Sequence, residues 1–187
     1  LYVIGNAWLT FALYHTGLIV IILLACRKDL FVKIFHGWDW PTFVVAMAIC
    51  SLIGPLLLLL WPLISIAPEN LHEQLSRLHL DGFGWWIFVF IFIIVNPLME
   101  EVFWRGFLEG KVKLPYVADL FFAGYHLPVL AFFIKLEWLI LAYAPICLGG
   151  WLWRWLNRRY GGLAVPFVSH IAADLSIVIA VQIISNR

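Results

Sequence analysis

Glu100 and Glu101 stand side by side at the end of an apolar run that begins near Trp85, and Arg105 follows four residues later. Two further apolar runs are interrupted by His126 and by the pair His170 and Asp174. Ionisable groups inside apolar runs of membrane-spanning length are costly and mark functional sites by default. A carboxylate and an imidazole that share a water can act as general base and orienter. A second imidazole, with a side-chain donor beside it, can stabilise a tetrahedral oxyanion. Together these groups describe an amide hydrolase without a covalent nucleophile. Ser169 precedes His170 but points about 100° away around a helix, so it is no substitute nucleophile. Alternatively, Glu100, His126 and His170 could hold Zn²⁺ with an open fourth position, although the His-Glu-x-x-His helix motif is absent.

Spacing sorts these residues further. Glu101 and Arg105 are four apart and can pair on one helix face, which leaves Glu100 to face elsewhere. His170 and Asp174 share a face in the same way, as do Phe122 and His126. Pro97 removes a backbone hydrogen bond one turn before the glutamates and can open space for water. Each residue also has a plainer reading. Glu101 with Arg105 makes sense as a structural ion pair alone, and His126 or His170 alone as a packing histidine. His15 has no partner in the pattern and reads as structural; Asp119, nearer the membrane surface, could guard the entrance but reads more simply as solvated.

These groups need a scaffold, and composition says which kind. The chain is 64% hydrophobic and 12% charged, with a mean hydropathy of +0.97. About half of a typical soluble sequence is apolar, so this composition indicates an all-α, polytopic transmembrane helical bundle. Six runs approach the roughly 20 residues that cross a bilayer: Tyr2–Cys26, Pro41–Ile66, Trp85–Arg105 (continuing to about Gly110), Tyr116–Ile134, Trp138–Trp155 and Gly162–Ile184. No linker divides them, so residues 1–187 read as one integral-membrane domain with its motif-bearing core at about 84–187. The chain opens at Leu1 rather than Met, and a preceding segment is expected. Net charge of +1 argues against a nucleic-acid partner. Cys26, Cys50 and Cys147 are scattered through apolar runs and read as packing groups. The tryptophans suit the interfacial belts of a bilayer.

Basic residues alternate between connections. Arg27, Lys28 and Lys33 fill the first, Arg77 alone the second, Lys111 and Lys113 the third, Lys135 alone the fourth, and Arg154, Arg158 and Arg159 surround the fifth. By the positive-inside rule the odd connections are cytoplasmic. Counting from that face puts Glu100, His126 and His170 at a common depth of roughly 12–15 Å. The expected result is one polar cavity opening to the cytoplasmic side. Leu71, Leu75 and Leu78 recur at helical spacing in the second connection, which predicts a short helix along the outer interface.

Three motifs now stand in order. Glu100-Glu101-Val102-Phe103-Trp104-Arg105 fits E-E-x-x-x-R, Phe122-Ala123-Gly124-Tyr125-His126 fits F-x-x-x-H, and His170-Ile171-Ala172-Ala173-Asp174 fits H-x-x-x-N/D. The chain from Trp85 onward thereby resembles the CPBP intramembrane proteases, which include type II CAAX prenyl endopeptidases and the bacteriocin-processing and self-immunity proteins of bacteria. The resemblance implies an intramembrane endopeptidase in which Glu100 is the general base and His126 helps to position the water. It makes His170 and Asp174 the oxyanion-stabilising pair, with Glu101, Arg105 and Phe122 in support. It implies no required cofactor, Zn²⁺ being the alternative. The expected partners are the lipid bilayer and a peptide or protein substrate, lipidated or membrane-anchored; the expected location is a bacterial plasma membrane. Two departures are visible. Six spans fall short of the eight usual in prenyl proteases, so an N-terminal helix is missing or unread. Asp174 stands where the prenyl proteases carry Asn; it can donate to an oxyanion only when protonated, and otherwise would orient His170. A non-proteolytic scaffold or self-immunity protein that binds peptide through the same cluster is the alternative function. A proton-relaying transporter is a weaker third, since no internal repeat is visible.

Overall fold

A computed structural model describes residues 5–25, 27–109 and 114–186. Cys26, Lys111 and Lys113, which the sequence reading uses, lie outside the described residues. In chain order come α1 (Ala7–Leu24), a 3₁₀ helix (Lys28–Phe35), α2 (Trp40–Ser51), α3 (Ile53–Ile64), α4 (Leu71–Arg77), α5 (Gly82–Glu100), a π-helical turn (Glu101–Phe107) that continues α5, α6 (Val117–Leu130), α7 (Leu136–Tyr160) and α8 (Ala164–Ser185). Among the described residues there is no β-strand; one isolated bridge joins Ser65 to Ile134.

Local chemistry starts and stops these helices. Asn6 caps α1 by accepting from the Leu9 amide at 3.0 Å. Asp39 caps α2 through the Thr42 amide at 3.1 Å, and hydrogen bonds from Thr42 hold its carboxyl below the usual carboxylate range. Gly161 ends α7 in the left-handed conformation, φ 69°, with its N–H bonded to the Asn157 carbonyl at 2.8 Å. The start of α8 borrows acceptors from the 3₁₀ segment. Leu163 donates to the Lys33 carbonyl at 2.8 Å and Ala164 to the His36 carbonyl at 2.9 Å.

Among the described residues, five helical segments are long and apolar enough to cross a membrane: Ala7–Leu24, Trp40–Ile64 (α2 and α3 together), Gly82–Phe107, Leu136–Tyr160 and Ala164–Ser185. Large apolar side chains such as Leu59, Phe90 and Ile140 are 77%, 68% and 74% exposed, as a lipid-facing surface requires. The protein is an integral membrane helical bundle. Its fourth apolar run differs from the full span expected over Tyr116–Ile134. The helix formed there, Val117–Leu130, has 14 residues and is about 21 Å long. Pro128 withdraws a backbone donor from its last turn. The following residues bond instead to the end of α3, with Ile66 donating to the Phe133 carbonyl at 3.0 Å and Lys135 to the Ile64 carbonyl at 2.8 Å. The short helix expected in the second connection is α4, and Leu71, Leu75 and Leu78 are all buried in one apolar cluster with Trp61 and Ile134.

The bundle is organised around α8, which packs on α2, α3, α5 and α7. It comes close to α3 at Gly54. A Cβ there would stand 2.1 Å from the Ser176 carbonyl oxygen, and the Gly54 amide donates to the Ser176 hydroxyl at 3.1 Å. Gly54→Ala is therefore expected to lower the thermal unfolding midpoint in detergent, as overpacking by about 1–3 kcal/mol would. An unchanged midpoint would show that α3 and α8 can separate freely here.

Candidate active site

Four helices meet around Glu100. On α5, Asn96 and Glu100 are four residues apart, and Pro97 lies between them inside the helix. The helix then widens into the π turn, where Leu108 donates to the carbonyl of Phe103, five residues back, at 2.9 Å. Within that turn Arg105 Nη1 donates to Glu101 Oε1 at 2.9 Å, and both side chains are essentially sealed from solvent. The guanidinium also lies 3.9 Å over the Phe122 ring and 4.9 Å over the Trp153 ring. Gly150 leaves room for this stack, since a Cβ there would come within 2.9 Å of Phe122 Cδ1.

From α8, His170 points into the same cluster. Its Nδ1 donates to Glu101 Oε1 at 2.8 Å. Its Nε2 faces two carboxylates, Glu100 Oε2 and Asp174 Oδ1, each at 3.7 Å. Trp153 of α7 stacks on the imidazole, with centroids 4.1 Å apart and planes at 17°. Asn96 Nδ2 donates to Asp174 Oδ2 at 3.1 Å. Glu101 thus does more than pair with Arg105: it fixes the tautomer and orientation of His170.

From α6, His126 directs Nδ1 to the Phe122 carbonyl of its own helix at 2.7 Å. A carbonyl only accepts, so Nδ1 carries a hydrogen, and the neutral ring offers its lone pair at Nε2. Nε2 lies 3.2 Å from the Tyr125 hydroxyl, which is itself hydrogen-bonded to Glu100 Oε1. From α1, the Tyr14 hydroxyl reaches the same Glu100 oxygen at 3.5 Å. Glu100 is buried, whereas Tyr125 and His126 beside it are partly exposed. Glu100 Oε2 is buried without a hydrogen-bond partner among the described residues.

The motif residues Glu100, Glu101, Arg105, Phe122, His126, His170 and Asp174 therefore meet in one cluster. Glu100, His126 and His170 do not close on a common point, because the Tyr125 hydroxyl stands between the first two. Among the described residues no group of three His, Cys, Asp or Glu side chains is placed as the ligands of a metal ion would be. Sequence reasoning passed over Asn96, Tyr125, Tyr14 and Trp153. Asn96 had a signal, the four-residue step to Glu100, and Tyr125 adjoins a motif histidine; Tyr14 and Trp153 carried none. Asp119 corrects the sequence reading outright. It is 3% exposed, and Arg154 of α7 holds it through Nε at 3.1 Å and Nη2 at 2.6 Å. A deep ion pair replaces a solvated carboxylate because α6 and α7 pack along their length. His15 is buried, and its Nδ1 lies 2.8 Å from the Phe11 carbonyl of its own helix.

A family model described as type II CAAX prenyl endopeptidase Rce1-like matches residues 82–176, just over half of the chain. That stretch holds every motif residue of the cluster. No curated protein and no solved structure matches the chain.

Proposed function

The chain belongs to the Rce1-like family of type II CAAX prenyl endopeptidases, and from that premise we propose that it is an intramembrane endopeptidase. It hydrolyses a peptide bond of a lipidated or otherwise membrane-anchored peptide with a water activated by Glu100. The observation that carries this reading is the division of labour at Glu100. Oε1 is occupied by phenol hydroxyls, while the buried Oε2 is unpartnered and 3.7 Å from His170 Nε2. A carboxylate oxygen without a protein donor keeps its lone pairs for a proton from water.

In the proposed reaction the water oxygen attacks the carbonyl carbon and its proton passes to Glu100 Oε2. The carbonyl π pair moves onto oxygen, and His170 Nε2–H, when the ring carries both hydrogens, donates to that oxyanion. Asp174, held by Asn96, lies 3.7 Å from the same nitrogen and supports the charge of the imidazolium. Glu100 then returns the proton to the leaving nitrogen and the C–N bond breaks, which yields an acid and an amine. Glu101 and Arg105 hold His170 and the π turn in register. The cavity faces the cytoplasm of a bacterial plasma membrane, in keeping with the basic first and last connections.

The test is cleavage by the purified chain in liposomes. Quenched peptides with and without a farnesylated cysteine near the scissile bond would be compared, with and without a chelator. Cleavage at a rate unaffected by the chelator is expected. Binding of the peptides without any cleavage would overturn the protease reading in favour of a peptide-binding self-immunity role.

A further inference from the structure

His126 does not meet Glu100 directly in this structure; one hydroxyl stands between them. Tyr125 OH is bonded to Glu100 Oε1 and lies 3.2 Å from His126 Nε2. The Tyr125 ring is packed against two aromatic neighbours. Tyr14 stacks on it with centroids 5.0 Å apart and planes at 26°, and Trp104 at 5.8 Å and 3°. Trp104 Nε1 donates to the Tyr14 hydroxyl at 3.2 Å, which ties those two rings together. The three rings come from separate elements: α1, the π turn and α6. The Tyr125 hydroxyl is thus a fixed group and not a swinging one.

A phenol has one hydrogen to donate. Glu100 Oε1 only accepts when ionised, and His126 Nε2 only accepts in the tautomer set by Phe122. The hydrogen can therefore serve one of the two at a time. While Glu100 is ionised, its charge makes it the stronger acceptor. Once Glu100 Oε2 has taken the water's proton, that charge is gone and the hydrogen can turn to His126.

We infer that Tyr125 is the positioning residue through which His126 acts on Glu100: its hydroxyl hydrogen changes acceptor from Glu100 to His126 as the base is protonated. This rests on the protease reading. No covalent bond at Tyr125 forms or breaks; only its hydrogen bond changes partner. His126 contributes by keeping that hydroxyl satisfied in the state where Glu100 holds it weakly. Without His126, the hydroxyl would keep only the weaker, uncharged carbonyl acceptor of protonated Glu100 in the transition state, which slows the reaction about 10–100-fold.

The decisive feature is non-additivity. With the farnesylated peptide, His126→Ala is expected to lower kcat about 10–100-fold with little change in KM. In a Tyr125→Phe background, the same substitution is expected to cost less than about threefold, because the group it served is already gone. Losses that multiply in the double variant would overturn the inference and leave the protease reading standing. Equal rates for the native chain and Glu100→Gln, or no cleavage by either, would overturn both. A measurement without substrate covers the state with an uncharged base. In Glu100→Gln protein carrying ¹⁵N-histidine, the His126 Nε2 resonance, identified by its loss in His126→Ala, is expected to move when Tyr125→Phe is added. An unmoved resonance would show that the hydroxyl and this nitrogen do not interact, and would overturn the inference.

Discussion

Glu100→Gln is expected to abolish peptide cleavage, with a fall of about 10²–10⁴-fold or more, the range a lost general base produces. The substitution is nearly isosteric, so the site should survive it. The amide oxygen can still accept from Tyr125 and Tyr14 in the place of Oε1. The amide NH₂ then occupies the position of Oε2, 3.7 Å from His170 Nε2. It has no lone pair with which to take a proton from water. Cleavage rates in liposomes, read together with the unfolding midpoint in detergent, separate this effect from misfolding. A variant that keeps its midpoint and still cleaves at the native rate would remove Glu100 from the role of base.

The second large effect concerns stability. Arg105 is 1% exposed and is the guanidinium built into a cluster that also holds the carboxylates of Glu100, Glu101 and Asp174. Removing one member of a buried ion pair leaves the other uncompensated and costs about 3–5 kcal/mol. Arg105→Met is expected to show that loss as a marked fall in the unfolding midpoint. Adding Glu101→Gln should recover part of it, because the charge left behind is then removed as well. Arg105→Lys should rescue poorly. The guanidinium lies flat over Phe122 at 3.9 Å while it donates to Glu101, and an ammonium cannot do both. A native midpoint for Arg105→Met would mean that Glu101 finds its compensation elsewhere, with His170 the nearest source.

These two residues also show what the sequence can and cannot reveal. Glu101 and Arg105 pair at a spacing that any helical reading detects, and Leu71, Leu75 and Leu78 announce α4 by the same logic. The shared depth of Glu100, His126 and His170 follows from counting along apolar runs, since a membrane imposes one vertical scale on every helix. Rotation about each helix axis has no such ruler. Tyr14 lies 86 residues from Glu100 in the chain, and nothing in α1 says which of its faces turns inward. Asp119 and Arg154 are 35 residues apart and read as two surface charges until α6 and α7 are packed together. The length of α6 escaped for a related reason. The apolar run continues past Leu130, but those residues spend their backbone groups on α3.

The π turn at Glu101–Phe107 has a consequence for how this chain tolerates insertion and deletion. An α-helix that gains one residue in one turn advances the phase of everything beyond it by about 100°. The upper part of α5, which carries Asn96 and Glu100, and the lower part, which carries Arg105 and Gly106, are thus clocked differently. Deleting one residue from within 102–104 should reset the lower part to ordinary phase, turning Arg105 off Glu101 and Gly106 away from its neighbours Leu30 and Leu163. The extra residue acts as a phase shifter between Glu100 and the segment that carries Arg105 and Gly106.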